Sequence, residues 1–432
     1  MLNKFLITKN RIDIIIGIEY VDYYENNYNT NFFIDLYIEH KYSWNKLKEG
    51  SYKGKSDFLN RFNTLIESIK KNNGNNVEIG IVKCKDEHWV INGFHRSSIL
   101  YYYNLPAKTK IKELPEIKYY YYPTDIYFFK NKKPGTICNL DIKYCNYTML
   151  CFFKQYYKHF NIIILFPNKK NLSLEIQSKI NNNIIYDLNF PINELTNNFR
   201  NNFIKMLYYN DSWCKGGGYK KKAELCFNEG DNLKILFIKK QPINEINDIK
   251  NTIRKYYNKG KNSVHTPDTQ NECNDLLQLL NKNTISYLCK TPSLYIKFPN
   301  FNKLFKKLKE FCSKNNINTK KICITSSSVL SVYGIRDCVD MDLFIDKKYI
   351  DIFKKTCFDN HNNYTINKHY PKHFEDIIYN PDNHFYFQSF KFCNLNIIYE
   401  YKKYRIEHLL YGKKSLEKDQ KDINSIIDNK FF

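Results

Sequence analysis

Residues 322 to 346, ICITSSSVLSVYGIRDCVDMDLFID, constrain this chain more than any other stretch. An apolar run leads into a serine-rich turn, and Asp340 and Asp342 follow among apolar neighbours. On a strand, alternate side chains share a face, so these two carboxylates point the same way. A carboxylate pair in an otherwise buried strand is costly unless it holds a cation. Mg²⁺ takes oxygen ligands, commonly one or two carboxylates together with substrate phosphates. The spacing therefore implies a metal-dependent site that handles phosphates. The alternative is that the two acids merely begin an exposed edge strand.

The same residues resemble the signature of the nucleotidyltransferase superfamily, which includes polymerase-beta-like enzymes. That signature runs apolar strand, Gly-Ser, helix, then a strand carrying Asp-x-Asp. Ser326-Ser327 stands at the Gly-Ser position, so the glycine that lets backbone approach a triphosphate is replaced. The segment 402 to 428, KKYRIEHLLYGKKSLEKDQKDINSIID, is similar to the K…R…KD…D helical close of many small members. Lys418, Asp419 and Asp422 have helical spacing and are expected to share one face. The resemblance covers about a third of the chain, residues 300 to 432. It implies Mg²⁺ and an NTP substrate. It further implies Asp340 and Asp342 as catalytic metal ligands, with Asp376 as the third and Glu375 and Glu400 as other candidates. Ser326, Ser327, Lys402, Arg405 and Lys418 would meet nucleotide phosphates. The acceptor would be a phospho-sugar, a glycan or another small hydroxyl compound.

A second pattern lies at 89 to 100, WVINGFHRSSIL. It reads as a strand, a glycine turn, a His-Arg pair and a helix, with TKIKEL as a closing strand. This resembles the ParB/sulfiredoxin-like fold over residues 50 to 120. Glycine turns and helix starts present backbone N–H groups to anions, and an adjacent Arg can grip phosphate with two donors. The resemblance implies phosphate contacts from Gly93, His95, Arg96 and Ser97. Asn92 stands where an acid is common, and Phe94 precedes His95, so the sulfiredoxin nucleophile is absent and that activity is disfavoured. The alternative is a His-Arg pair that serves the fold.

Between these patterns the signals are weaker. WCKGGGYKKKAELCF, 213 to 227, lacks P-loop spacing and reads as a mobile loop or a phosphate-binding turn. KGKNSVHTPDTQNE places His265, Asp268 and Glu272 close together. Asp268 or Thr269 would be an N-cap with Glu272 nearby, or His265 would act as an acid/base in a polar site.

Periodicity supplies the elements. Phe58, Phe62, Leu65, Ile66 and Ile69 mark an amphipathic helix that ends at Gly74. EIGIVKC, HWVIN, HFNIIILFP and LKILFIKK read as strands, and INEINDIKNTIRKYY as a helix. Strands alternating with helices predict a mixed α/β, α+β multidomain chain. The expected units are 1–135, closed by the turn NKKPGT, then 136–299 and 300–432.

The chain has 432 residues, a net charge of +23, 37 Tyr and 13 scattered Cys. The richness in Asn, Lys, Ile and Tyr is the bias of an AT-rich coding sequence, such as that of a large DNA virus or an AT-rich protist. The charge fits either that bias or a nucleic-acid partner. The cysteines show no zinc spacing and no disulfide framework, and reduced thiols fit best. No apolar stretch approaches the roughly 20 residues needed to span a bilayer, so a soluble intracellular protein is expected. Two further readings stand beside nucleotidyl transfer: a nucleic-acid-binding or nucleic-acid-modifying protein, and a catalytically inactive scaffold of the same fold.

Overall fold

The computed structural model describes residues 12–45, 54–84, 87–113, 141–157, 159–181, 183–209, 211–294, 298–429 and 431. The chain forms two compact units of mixed helix and strand, Met1–Lys158 and His159–Phe432. The NKKPGT turn expected to close the first unit lies outside the described residues.

In the first unit, helix Lys55–Lys71 buries Phe58, Phe62, Ile66 and Ile69, as the spacing predicts. Gly74, at φ 72°, ends it by donating from its N–H to the Ile69 carbonyl at 3.0 Å. Three strands follow: β1 (Glu78–Cys84), β2 (Glu87–Asn92) and β3 (Lys108–Glu113). β1 and β2 form an antiparallel hairpin, and β3 returns parallel to β1. Helix Phe94–Tyr102 makes that crossover and packs on helix Ile12–Asn26. Helix Ile142–Cys151 belongs here too. Tyr147 donates to Glu19 at 2.7 Å and meets Phe32 edge-on at 4.8 Å.

The second unit contains two sheets. The first joins β4 (Phe160–Leu165), β5 (Ile184–Pro191), β6 (Asn232–Lys239) and β7 (Val264–His265) in the order β5-β6-β4-β7, all antiparallel. Ile163, Leu165, Leu236 and Ile238 pack one face against Ile246, Ile249 and Ile253 of helix Ile243–Tyr257. The second sheet joins β8 (Ile322–Thr325), β9 (Asp342–Ile345), β10 (Asp359–Asn360), β11 (His384–Phe387) and β12 (Phe390–Cys393) in the order β10-β9-β8-β12-β11.

The sequence suggested a boundary near residue 299, yet both sheets lie in one unit. Polar side chains fasten the connection between them. Asn202, fully buried, donates to the Leu288 and Thr291 carbonyls at 3.1 and 2.9 Å and accepts from the Leu294 N–H at 2.9 Å. Asn283 donates to the Pro381 and Asp382 carbonyls at 3.0 and 2.9 Å. Tyr287 donates to the Val332 carbonyl at 2.9 Å. Buried amides that satisfy backbone carbonyls are costly to separate, because each would be left unpaired.

Helices Leu395–Glu407 and Lys413–Asp428 pack together at the end of the chain. Their contact holds a buried ion network. Lys402 Nζ lies 2.7 Å from Asp419 and 2.8 Å from Asp422. Arg405 pairs with Asp419 at 3.1 Å. Arg336 donates to both Asp422 oxygens at 2.6 and 2.9 Å. The neighbouring Asp337 accepts from the N–H groups of Asn300 and Phe301, capping helix Pro299–Lys314.

Burial alone would raise the Asp422 carboxyl. The Arg336 hydrogen bonds and the Lys402 charge outweigh it and hold Asp422 below the ordinary aspartate range. Its stabilising contribution is therefore complete above the unfolded value of about 3.9 and fades as pH falls further. Asp422→Asn leaves buried cations under-compensated and should lower unfolding free energy by about 3–5 kcal/mol at pH 7. Urea midpoints measured from pH 7 down to pH 3 should show the gap between wild type and variant shrinking only below about pH 4.

Candidate functional site

β8 ends at Thr325, and the chain turns at Ser326 into helix Ser327–Val332. Ser326 has φ 55° and ψ −133°, a conformation that favours glycine. Ser326 thus holds a backbone shape that glycine adopts more readily. The Ser326 side chain also helps hold the Asp342 carboxyl down, an influence glycine could not supply.

Asp342 opens β9, opposite Thr325 on β8 and Asp359 on β10. Carboxylate oxygens of Asp340, Asp342 and Asp359 lie within 4.8 Å of one another. Asp342 is buried, and the other two are exposed. His361 Nε2 stands 3.2 Å from Asp342 Oδ1, and its Nδ1 lies 3.0 Å from the Tyr370 hydroxyl. Tyr370 accepts from Thr325 at 3.2 Å and stacks on Tyr401 at 3.9 Å. Strand and aromatic stack therefore fix the histidine, and the histidine fixes the carboxylate. Such outer contacts orient ligands in metal sites.

The electrostatics differ across the cluster. Burial pushes the Asp342 carboxyl up, but His361, Ser326 and the Lys402 charge bring it below its ordinary range. Asp359 is pushed up by burial and by the charges of Asp342 and Asp340. A hard divalent cation suits this donor set: the ligands are oxygens, one is pre-oriented, and their mutual repulsion would be relieved.

Several sequence expectations resolve differently. Asp376, expected as the third ligand, lies on helix Phe374–Tyr379, where its carboxylate accepts from Asn383 at 2.8 Å. Glu375 is buried and pairs with Lys347 at 3.0 Å, and Glu400 is exposed. The acid that joins the pair is Asp359. Its signal was the Asp359-x-His361 spacing, which repeats that of Asp340-x-Asp342. Lys402 and Arg405 are engaged by the closing-helix carboxylates rather than facing open solvent as phosphate ligands. Lys418 is exposed, so it does not share the buried face of Asp419 and Asp422.

In the first unit, Gly93 takes φ 94° at the start of helix Phe94–Tyr102, with the Arg96 guanidinium against it. His95 packs among rings, 4.6 Å from Phe62 and 4.5 Å from Phe94. Burial first, then Lys41, His40 and Arg96, hold its basicity well down. Ser97 is fully buried. His95 Nε2 and Ser97 Oγ are both buried without a hydrogen-bond partner. Farther along, Thr269 caps helix Gln270–Leu276, and Glu272 completes a capping box. Asp268 is exposed, and Gly216 and Gly217 lie not in a loop but in a π-helical segment, Cys214–Gly218, kinked at Gly217 (φ 95°), that runs into helix Tyr219–Cys226.

Among the described residues, no helix is long and apolar enough to cross a membrane. No protein-family model, curated protein or solved structure matches the chain.

The strained turn gives a direct check. Ser326→Gly should unfold within about 1 kcal/mol of wild type, with relieved strain offsetting the added chain entropy and the lost polar neighbour of Asp342. Ser326→Val should cost about 2–3 kcal/mol, because a β-branched residue is poorly tolerated at positive φ. Chemical denaturation of the three proteins measures both.

Proposed function

We propose that the part of the second unit carrying β8 to β12 is a Mg²⁺-dependent nucleotidyl-transfer module acting on a small or glycan-related hydroxyl acceptor. The observation that carries this reading is the convergence of Asp340, Asp342 and Asp359 beside the Ser326-Ser327 turn. Asp340, Asp342 and Asp359 would hold the cation, which when bound supplies charge neutralisation at triphosphate oxygens and activation of the acceptor hydroxyl.

The remaining steps belong to the protein's own groups. His361 and Ser326 keep the Asp342 carboxylate ionised and aimed. Thr325, Tyr370 and Tyr401 hold His361 in place from below. Ser327, at the start of the helix after β8, would meet the phosphates. Lys402 acts from behind, lending positive charge to Asp342 while it braces the closing helices.

A thermal-shift panel of the four NTPs with and without Mg²⁺ tests the reading. At least one NTP should stabilise the protein by about 2–3 kcal/mol near 100-fold saturation, and only with Mg²⁺. Asp340→Asn with Asp342→Asn should abolish the shift, and Asp359→Asn should weaken it. His361→Ala should reduce apparent metal affinity about 10- to 100-fold. A nucleotide shift that survives the double substitution would remove these acids from the site.

A further inference from the structure

The four-stranded sheet of the second unit carries a cluster that the acidic site leaves unused. Tyr208 ends helix Asn197–Tyr208, and its hydroxyl lies 2.9 Å from His265 Nδ1 on β7. The two rings meet edge-on at 4.9 Å, and Trp213 packs on Tyr208 at 5.1 Å. Lys222, from helix Tyr219–Cys226, places Nζ 5.9 Å from the Tyr208 ring centroid. Its position is fixed by donation to the Lys261 carbonyl and to Asn262 Oδ1, both at 2.7 Å.

Lys250 and Arg254 stand one turn apart on helix Ile243–Tyr257, which packs against β7. Arg254 Nε is buried and has no hydrogen-bond partner. Both side chains are half-buried, as are Lys222 and His265. The carboxylate that acts on Lys250 is the exposed Asp268. The charges of all three cations bear on His265, and the acids acting on the cluster are Asp268 and Asp211, which accepts from Trp213 Nε1 at 2.8 Å. Burial, then Lys250, Lys222 and Arg254, push the basicity of His265 down to about 3, so it stays neutral.

Like charges gathered in a half-buried place repel one another, and a buried guanidinium donor without an acceptor costs free energy. A dianion relieves both. Arg supplies a forked donor, Lys supplies point charge, and Tyr and neutral His supply directional hydrogen bonds. We propose that Lys222, Lys250, Arg254, Tyr208 and His265 form a binding site for a phosphate-bearing small molecule. The site is built on four elements of the fold and stands independently of whether the aspartates hold a metal.

The experiment uses the full chain in EDTA, so that metal-bound phosphate cannot contribute. Inorganic phosphate and pyrophosphate are titrated against acetate and chloride at matched ionic strength, by calorimetry and thermal shift. Phosphate or pyrophosphate should bind saturably and stabilise the wild type, and acetate should not. Lys250→Gln with Arg254→Gln should weaken binding about tenfold or more. Lys255→Gln, an exposed substitution on the same helix, should leave binding unchanged. His265 ring resonances should move on titration in the wild type, a readout that does not depend on the variants folding. No phosphate-specific effect on the wild type, still His265 resonances, or undiminished binding in the double variant would each overturn the proposal.

Discussion

The buried ion network at the end of the chain is the interaction on which the second sheet's working edge depends. Asp419 and Asp422 sit between three cations, Lys402, Arg405 and Arg336. Arg336 comes from the segment that leads into Asp340 and Asp342, so its pairing with Asp422 ties that segment to the last helix. Lys402 completes the connection, because its charge bears on Asp342 as well as on Asp419 and Asp422. Buried charges are tolerated only when nearly every one has a partner, so the network works as a unit.

That brace gives the acidic cluster its character. Asp342 is buried and would resist ionisation but for His361, Ser326 and the positive charge behind it. Asp340 and Asp359 are exposed, and Asp359 is pushed up first by burial and then by the charges of Asp342 and Asp340. One anchored carboxylate thus stands beside two exposed ones, with an oxygen of each within 4.8 Å of the others. The strained Ser326 fits the same picture. A serine holds a glycine-like conformation there, and its side chain favours the ionised form of the buried acid.

Much of the local structure was legible in the sequence. The period of Phe58, Phe62, Ile66 and Ile69 located a helix, and HFNIIILFP a buried strand. Asp340-x-Asp342 located two of the three clustered acids. Asp359 was hidden because β10 is two residues long and has no apolar run to announce it. Only its parallel pairing with β9, a non-local contact, brings it opposite Asp342. Lys402 and Arg405 were found as cations among acids, but spacing alone does not separate a phosphate contact from an internal ion pair. The packing of Phe62 on His95 was not legible, because that ring arrives from a helix about thirty residues earlier. The connection between the two sheets was also invisible, since Asn202 and Asn283 reveal nothing until their carbonyl partners are in place.

The central claim is that Asp340, Asp342 and Asp359 together hold a divalent cation. Anomalous diffraction from crystals soaked in Mn²⁺ tests it most directly. The account predicts a peak at coordination distance from all three carboxylates, with His361 still bonded to Asp342. No bound ion, or an ion held without Asp359, would contradict it.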